Sequence, residues 1–275
     1  MKVRRRLILA FVIAAVAAAG VASAQRRRGF GGFRGVAPKM MTADDYNGAF
    51  LFCRIPFSQN PQGDGGGWGV DYPRADINLT FRLSELSKTP VTRDERDGYN
   101  HVVVRLTDPL LYKCPFIMMT EPGGAYFSDA EANALHDYAV KGGFLWADDF
   151  WGEYAFRVWA GEIGKAFPPG RYPIVDVPLD HELFHILYDI KHYTQIPSIN
   201  FWAYSGQTSE RGPDSAQPHV RAILDDDGRI MVLMTHNTDF GDAFEREGDD
   251  HEYFLKFAPD GYAFGVNAIV YSMTH

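Results

Sequence analysis

The stretch KGGFLWADDF, residues 141 to 150, contains two glycines, a short apolar run and two adjacent acidic residues. The apolar run has the length of a buried strand, and the glycines separate it from the segment before it. Asp148 and Asp149 end this strand, and in an open parallel sheet ligands bind beyond the carboxyl ends of the strands. Because successive strand residues point to opposite faces, at most one of the two acids points into a given pocket. Two interpretations remain. Either both acids are structural residues at the end of the strand, or one of them lines a site while the other is structural.

Short apolar runs alternate with helical periods on both sides of this stretch. The predicted strands before it are residues 49–55, 101–106 and 115–120. Asp76 is predicted to cap a helix in which Leu79, Leu83 and Leu86 share one face. Strands that alternate with helices along the chain favour an α/β domain with a mostly parallel sheet.

Local signals define three further elements. Ser128 and Glu131 form a capping box at the start of a helix, and Gly142 stands where a left-handed C-cap is expected. The Asp-Gly pair at 227–228 is typical of a β-hairpin turn. An apolar helix is predicted over residues 262–273 at the end of the chain.

The first 24 residues are typical of a secretory signal peptide, with a basic start, an apolar run and small residues before the predicted cleavage site. The protein is therefore expected to be exported, to the periplasm or the cell exterior. An uncleaved membrane anchor is the alternative, although the apolar run is shorter than the roughly 20 residues of a membrane span. Residues 25–40 are rich in Arg and Gly and are predicted to form a flexible leader, and membrane contact is expected only through this N-terminal segment. Residues 41–275 are then predicted to form a single domain.

Composition limits the partners of that domain. The whole chain has 46% hydrophobic residues and a net charge of -8. Because the N-terminal segments are basic, the domain itself is more acidic still. An acidic surface repels phosphate backbones, so no nucleic-acid partner is expected.

The two cysteines, Cys53 and Cys114, would meet an oxidising compartment after export. Each lies at or beside a predicted strand. A single disulfide and two buried free thiols both remain open, because the sequence does not give the geometry that a bridge requires.

Polar residues follow several of the predicted strands and are expected at one edge of the sheet. They are Glu121, Asp148, Asp149, His236, Asn237 and Asp239. Convergence of acids, a histidine and an amide is typical of a pocket. Each residue also suits a turn or a helix cap. We treat the set as a candidate ligand-binding edge for a small polar ligand or a partner protein.

The sequence HELFH at residues 181–185 matches the H-E-x-x-H zinc pattern, in which His181 and His185 would bind zinc and Glu182 would activate a water. The flanking residues argue against a zinc site, since Pro178 places the pattern in the first turn of a helix. The third ligand would have to be Glu210, in a predicted loop. No metal is therefore expected, and zinc is kept as the alternative.

Six ordered blocks of the sequence resemble a known family. They are YPRADINLTFRLSELS, PFIMMTEPGG, FSDAEANALHDYAVKGGFLWADDFWG, LDHELFH, HNTDFGD and GVNAIVYSMTH. Together they resemble the bacterial family of unknown function DUF4159, from about residue 46 to the end of the chain. Such domains are similar to the class I glutamine amidotransferase-like fold. The resemblance therefore implies a flavodoxin-like, mostly parallel sheet sandwiched by helices.

The resemblance also implies where an amidotransferase nucleophile would lie. A cysteine would occupy the turn after the third strand, but residues 120–129 contain none, and Cys114 precedes the strand. His236 matches the place of the family's histidine, and without a nucleophile it is a relic or a binding group. The sequence also contains no G-x-S-x-G or phosphate-binding glycine motif.

These observations favour a noncatalytic exported binding or assembly module without a cofactor. The alternative is a hydrolase, which would act on a sugar or cell-wall substrate through the acidic edge, or would be a zinc-dependent metallohydrolase that uses HELFH. Substitution of the acidic edge separates the two hypotheses, because only a hydrolase would lose turnover.

Overall fold

The computed structural model describes residues 36–275. The predicted signal peptide and most of the predicted leader lie outside the described residues. Lys39 and Met40, at the end of the predicted leader, run beside the strand His101–Val103, where the N–H of Val103 donates to the carbonyl oxygen of Lys39 at 2.7 Å. Contacts with the domain therefore begin before residue 41.

Seven strands form one mixed sheet, and two short strands form a separate antiparallel pair. In chain order the strands are β1 (Phe52–Arg54), β2 (Ser58–Gln59), β3 (His101–Val103), β4 (Phe116–Thr120), β5 (Ala125–Tyr126), β6 (Phe144–Phe150), β7 (Val175–Asp176), β8 (His219–Leu224) and β9 (Ile230–His236). The main sheet has the order β3-β1-β4-β6-β9-β8-β7. Its first five strands are parallel, and β8 pairs antiparallel with both β9 and β7. The carboxyl ends of the parallel strands therefore share one edge.

Helices cover both faces of this sheet. They are α1 (Arg74–Ser87), α2 (Asp129–Val140), α3 (Gly152–Ala166), α4 (Ile199–Ser205), α5 (Phe240–Glu245) and α6 (His251–Thr274). Alternate strand residues enter two separate hydrophobic clusters, one with α2 and α3 and the other with α1, α5 and α6. The protein is thus an α/β domain with a mostly parallel sheet, as predicted, and its strand order is compatible with a flavodoxin-like fold.

Most of the predicted local signals are present. Ser128 and Glu131 form the capping box of α2, and Gly142 after that helix has a φ of +104°. The hairpin between β8 and β9 turns at the predicted Asp-Gly pair. Within the described range, no helix has both the length and the apolar character that a membrane span requires.

Two local predictions, the cap at Asp76 and the start of the C-terminal helix, were wrong, and the apolar face of α1 is buried only in part. The N-cap of α1 is Pro73, and Asp76 lies inside the first turn with its side chain fully buried against Arg54. Leu86 is 42% exposed, so only the other two predicted leucines of α1 enter the core. The C-terminal helix begins at His251, eleven residues before the predicted start, and continues through Pro259. Burial against Arg54 explains the position of Asp76, whereas the C-terminal helix is capped at Asp250, whose side chain accepts a hydrogen bond from the N–H of Tyr253 at 2.8 Å.

Cys53 and Cys114 form a disulfide, with their Cα atoms 6.1 Å apart. The bond joins β1 to the segment that precedes β4, away from the carboxyl edge of the sheet. The sequence left open a disulfide or two free thiols, and the structure contains the disulfide.

Candidate functional site

A cavity of about 210 Å³ lies beyond the carboxyl ends of β4 and β6. Its acidic lining residues are Asp64, Asp71, Glu121, Asp149, Glu210, Asp239 and Asp242. Its basic lining residues are Arg211 and Arg246. Arg211 pairs with Asp64 at 2.9 Å, and Arg246 pairs with Asp242 at 2.9 Å. We call this space the acidic cavity.

Only one of the two adjacent acids lines the acidic cavity, as predicted, although Asp149 has left-handed backbone with φ +61° and does not continue the regular strand. Asp148 is fully buried, and its carboxylate accepts hydrogen bonds from the hydroxyl of Thr235 and from the N–H of Gly241 at 3.0 Å. Asp149 lines the acidic cavity, and its Oδ1 atom accepts a hydrogen bond from the indole N–H of Trp151 at 2.9 Å. Asp148 thus joins β6 to the start of α5, while Asp149 points to the ligand side.

Glu121 follows β4 at a sharp turn, with φ +52° and ψ +50°. Its Oε2 atom accepts a hydrogen bond from the N–H of Gly67 at 2.6 Å, which belongs to the glycine-rich loop between β2 and α1. Gly65 lies so close that a Cβ there would be 2.9 Å from the Cβ of Glu121. The backbone of the glycine-rich loop therefore packs directly on the side chain of Glu121, which lines the acidic cavity.

Asp71, Asp149 and Asp239 come from three separate segments and converge inside the acidic cavity. One carboxylate oxygen from each lies within 4.8 Å of the other two. All three side chains are buried, with exposed fractions between 4% and 7%. Asp71 ends the glycine-rich loop, Asp149 belongs to β6, and Asp239 is the N-cap of α5. We call these residues the carboxylate triad.

Burial and mutual repulsion raise the pKa values of these acids. Burial is the larger cause of the rise in the pKa of Asp149, and the charges of Glu121 and Asp71 add to it. The pKa of Asp239 is also well above its ordinary value, first through burial and then through Asp149 and Asp71. Burial raises the pKa of Glu121 to about 7, although hydrogen bonds from the glycine-rich loop oppose it. The site therefore favours either bound protons or an added positive charge.

Backbone strain is concentrated at the same edge of the sheet. Six non-glycine residues of the described chain have left-handed backbone, and four of them, Asp71, Glu121, Asp149 and Asn237, lie here. Each such residue costs roughly 1–2 kcal/mol relative to ordinary backbone. Strain of this kind persists where the surrounding structure holds it, and it clusters at functional sites.

His236 and Asn237 do not line the acidic cavity. The imidazole of His236 is fully buried between Phe150 and Phe156, with its Nε2 atom 3.1 Å from the carbonyl oxygen of Gly152. Burial lowers the pKa of His236 to about 4, so the ring is neutral. The side chain of Asn237 accepts a hydrogen bond from the N–H of Gly152 at 2.8 Å. Both residues hold the start of α3 against the end of β9.

Residues 181–185 form a short 3₁₀ turn and not part of a longer helix. His181 is its N-cap, and the Nδ1 atom of this histidine accepts a hydrogen bond from the N–H of Leu183 at 3.1 Å. Both ring nitrogens of His185 are engaged, one with Asp189 and one with the carbonyl oxygen of Leu179. The carboxylate of Glu182 lies 3.2 Å from His275. Glu210, the proposed third ligand, lies instead in the acidic cavity.

Asp71 is the principal site residue that sequence reasoning missed. It lies at the end of the glycine-rich loop between β2 and α1, and the fold brings it to the edge where Glu121 and Asp149 lie. The strand-edge argument does not reach Asp71, because this residue does not directly follow a strand of the main sheet. Asp242 was also missed, because its position one turn into a short helix gives no separate signal.

Comparison with known proteins identifies the family but gives no function. Residues 57–273 match the family described as a domain of unknown function, DUF4159. The chain therefore belongs to this family, as its sequence blocks indicated. No curated protein matches the chain at a significant level.

Proposed function

We propose that the protein is a noncatalytic binding module that takes a small, polar, positively charged ligand into the acidic cavity. The observation that carries this proposal is the convergence of the buried carboxylate triad, since none of its three members forms a salt bridge within residues 36–275. Buried carboxylates of like charge repel one another unless a proton or a cation neutralises them. A cationic ligand would relieve this repulsion.

The missing nucleophile supports binding over amidotransferase chemistry. Both cysteines of the chain are joined in the disulfide, and the turn after β4 carries Glu121. We infer kinship with the class I glutamine amidotransferase-like fold. The strand order β3-β1-β4-β6-β9 supports this kinship, because it corresponds to the flavodoxin-like order.

Thermal denaturation with a panel of probes tests the binding proposal. The protein would be treated with EDTA, dialysed, and heated with magnesium, calcium or manganese chloride, with spermidine or ethanolamine, and with sodium sulfate, all at constant ionic strength. We expect at least one cation to raise the Tm of the wild type and to have no effect on Asp149→Asn. Sulfate stabilises proteins non-specifically and is therefore expected to change the Tm of both proteins equally. The proposal fails if no cation stabilises the wild type.

A hydrolase is the second candidate function, and the pKa of Glu121 favours it. A carboxyl group with a pKa of about 7 suits general acid catalysis at neutral pH, and the ionised form of a second carboxylate would complete a pair. Chromogenic glycosides and purified peptidoglycan are the test substrates. Turnover by the wild type that is lost in both Glu121→Gln and Asp149→Asn, with folding retained, would favour the hydrolase.

We also propose that the protein is exported. The N-terminal sequence supports this, and so does the disulfide, because such bonds persist in oxidising compartments. Cell fractionation tests it: the processed protein should be found outside the cytoplasm.

A further inference from the structure

The geometry of the carboxylate triad matches the coordination of a hard divalent cation. Calcium binds oxygen ligands at about 2.3–2.6 Å, so its ligands lie up to about 5 Å apart, and magnesium binds at about 2.1 Å. The three oxygens of Asp71, Asp149 and Asp239, all within 4.8 Å of one another, fall within that span. The three side chains therefore lie close enough for small side-chain adjustments to bring all three into contact with one ion.

An unpartnered oxygen of Asp71 is a second observation that points to the same ligand. The Oδ2 atom of Asp71 is buried and has no hydrogen-bond partner. The side chain of Asp71 is only 7% exposed, so water does not freely satisfy this atom. It lies beside the Cα atom of Gly241, on the side where Oδ1 of Asp239 also lies. A buried carboxylate oxygen without a partner carries a large desolvation cost, which a bound cation would remove.

The other two carboxylates also keep an oxygen for an ion. The Oδ1 atom of Asp149 accepts from Trp151, and the Oδ1 atom of Asp239 accepts from the N–H of Asp242 at 2.7 Å. In both side chains the hydrogen bond fixes the orientation of the carboxylate and leaves Oδ2 for coordination. Hydrogen-bonded carboxylates of this kind are typical of metal ligands.

The nearby arginines are already paired and cannot take the place of a cation. Arg246 contacts Asp242 and, at 2.7 Å, Glu245, while Arg211 contacts Asp64. Arg54 below the cavity is fully buried against Asp76. These arginines therefore act on the triad only at a distance, and within the described residues none of them forms a salt bridge with it.

We propose that Asp71, Asp149 and Asp239 bind one hard divalent cation, of the magnesium, calcium or manganese class, with water completing its coordination. Oxygen-only ligands select this class over metals that prefer nitrogen and sulfur ligands. This inference rests on the proposed function, because it names the cation that the acidic cavity binds. It assigns no role to HELFH.

Isothermal titration of the EDTA-treated, dialysed full chain with manganese, calcium and magnesium chloride tests the inference. We expect one bound ion per chain for at least one metal, and at least tenfold weaker binding in each of Asp71→Asn, Asp149→Asn and Asp239→Asn. Asparagine retains the Oδ1 acceptor at each position and also serves as an N-cap at residue 239, so the variants should fold. Asp226→Asn, in an exposed ion pair with Arg171, is the matched control and should bind like the wild type.

The outcomes separate this inference from the proposed function. Stabilisation by spermidine or ethanolamine, with no binding of any divalent ion, would overturn the divalent site and leave the cationic-ligand proposal standing. An absence of response to every cation would overturn both. Divalent binding that survives unchanged in all three triad variants would place the ion elsewhere and overturn the assignment. If a triad variant fails to fold, the remaining two, checked by circular dichroism, decide the matter.

Discussion

Asp71 and Asp239 meet over the Cα atom of Gly241. The Cγ atom of Asp71 lies 3.0 Å, and the Oδ1 atom of Asp239 lies 3.4 Å, from the position that a Cβ atom of residue 241 would occupy. The two carboxylates approach each other because residue 241 has no side chain. Gly241 therefore helps to determine the geometry of the acidic cavity, although it carries no charge.

Gly241→Ala is therefore expected to weaken manganese binding at least tenfold, because the added methyl group displaces the Asp71 carboxylate. The free energy of unfolding should fall by about 1–3 kcal/mol, as for other overpacked sites. Titration calorimetry and urea denaturation measure the two effects. Gly161→Ala on α3 is the control, since a Cβ there has no neighbour within 4 Å. Unchanged manganese affinity in Gly241→Ala would show that Asp71 is not needed for binding.

Asp149→Asn should change how stability depends on pH when metal is removed with EDTA. The pKa of Asp149 is raised in the folded state, so the folded protein holds this proton more tightly than the unfolded chain does. Stability from this group is then present at low pH and is lost as pH rises above about 4. The free energy of unfolding of Asp149→Asn should differ little from that of the wild type at pH 4. The variant should become more stable than the wild type as the pH rises toward 8.

Urea denaturation at several pH values measures this difference. Asp226→Asn removes a charge from a side chain that is 82% exposed, and its stability relative to the wild type should vary little over the same pH range. A pH-independent difference for Asp149→Asn would contradict the raised pKa.

Asp76→Asn is expected to lower the free energy of unfolding by about 3–5 kcal/mol, because it leaves the buried guanidinium of Arg54 without a counter-charge. The double variant Arg54→Met with Asp76→Leu should recover much of the loss, since neither charge then remains buried. Arg171→Gln, in an exposed pair, should leave the free energy of unfolding nearly unchanged. Equal loss in the single and double variants would mean that packing, and not the unpaired charge, is responsible.

His181→Ala combined with His185→Ala tests the zinc alternative. Protein purified without chelator would be measured by plasma mass spectrometry. We expect the same zinc content in the wild type and the double variant, because hydrogen bonds occupy both ring nitrogens of His185. Because the variant lacks the N-cap at His181, its free energy of unfolding should fall by at most about 1–2 kcal/mol. Stoichiometric zinc in the wild type that disappears in the variant would make HELFH the metal centre.

The order of the elements was largely predictable, because strand length, capping residues and turn residues are local signals. The capping box of Ser128 and Glu131 and the hairpin at 227–228 needed no knowledge of the rest of the chain. Asp76 was misassigned as a helix cap for the opposite reason. Its partner Arg54 lies in another element, and a tertiary ion pair leaves no local trace.

The site was predictable only in part. The strand-edge argument placed Glu121, Asp149 and Asp239 beside the same cavity. Only one acid of the pair Asp148 and Asp149 lines it, as predicted, but Asp149 has left-handed backbone, which strand alternation does not describe. His236 and Asn237 also lie at that edge, but their side chains turn toward the start of α3. The direction of these side chains depends on left-handed backbone and on packing against distant segments, and sequence periodicity describes neither.

The four left-handed residues at the carboxyl edge of the sheet have an evolutionary consequence. Glycine adopts this backbone conformation without strain, so glycine is the replacement that selection for stability alone would favour at Asp71, Glu121, Asp149 and Asn237. Members of the family that use the cavity should keep a carboxylate at the three acidic positions despite that cost. Members that do not bind the proposed ligand should accumulate glycine there, so divergence at these positions should distinguish cavities that bind the ligand from cavities that do not.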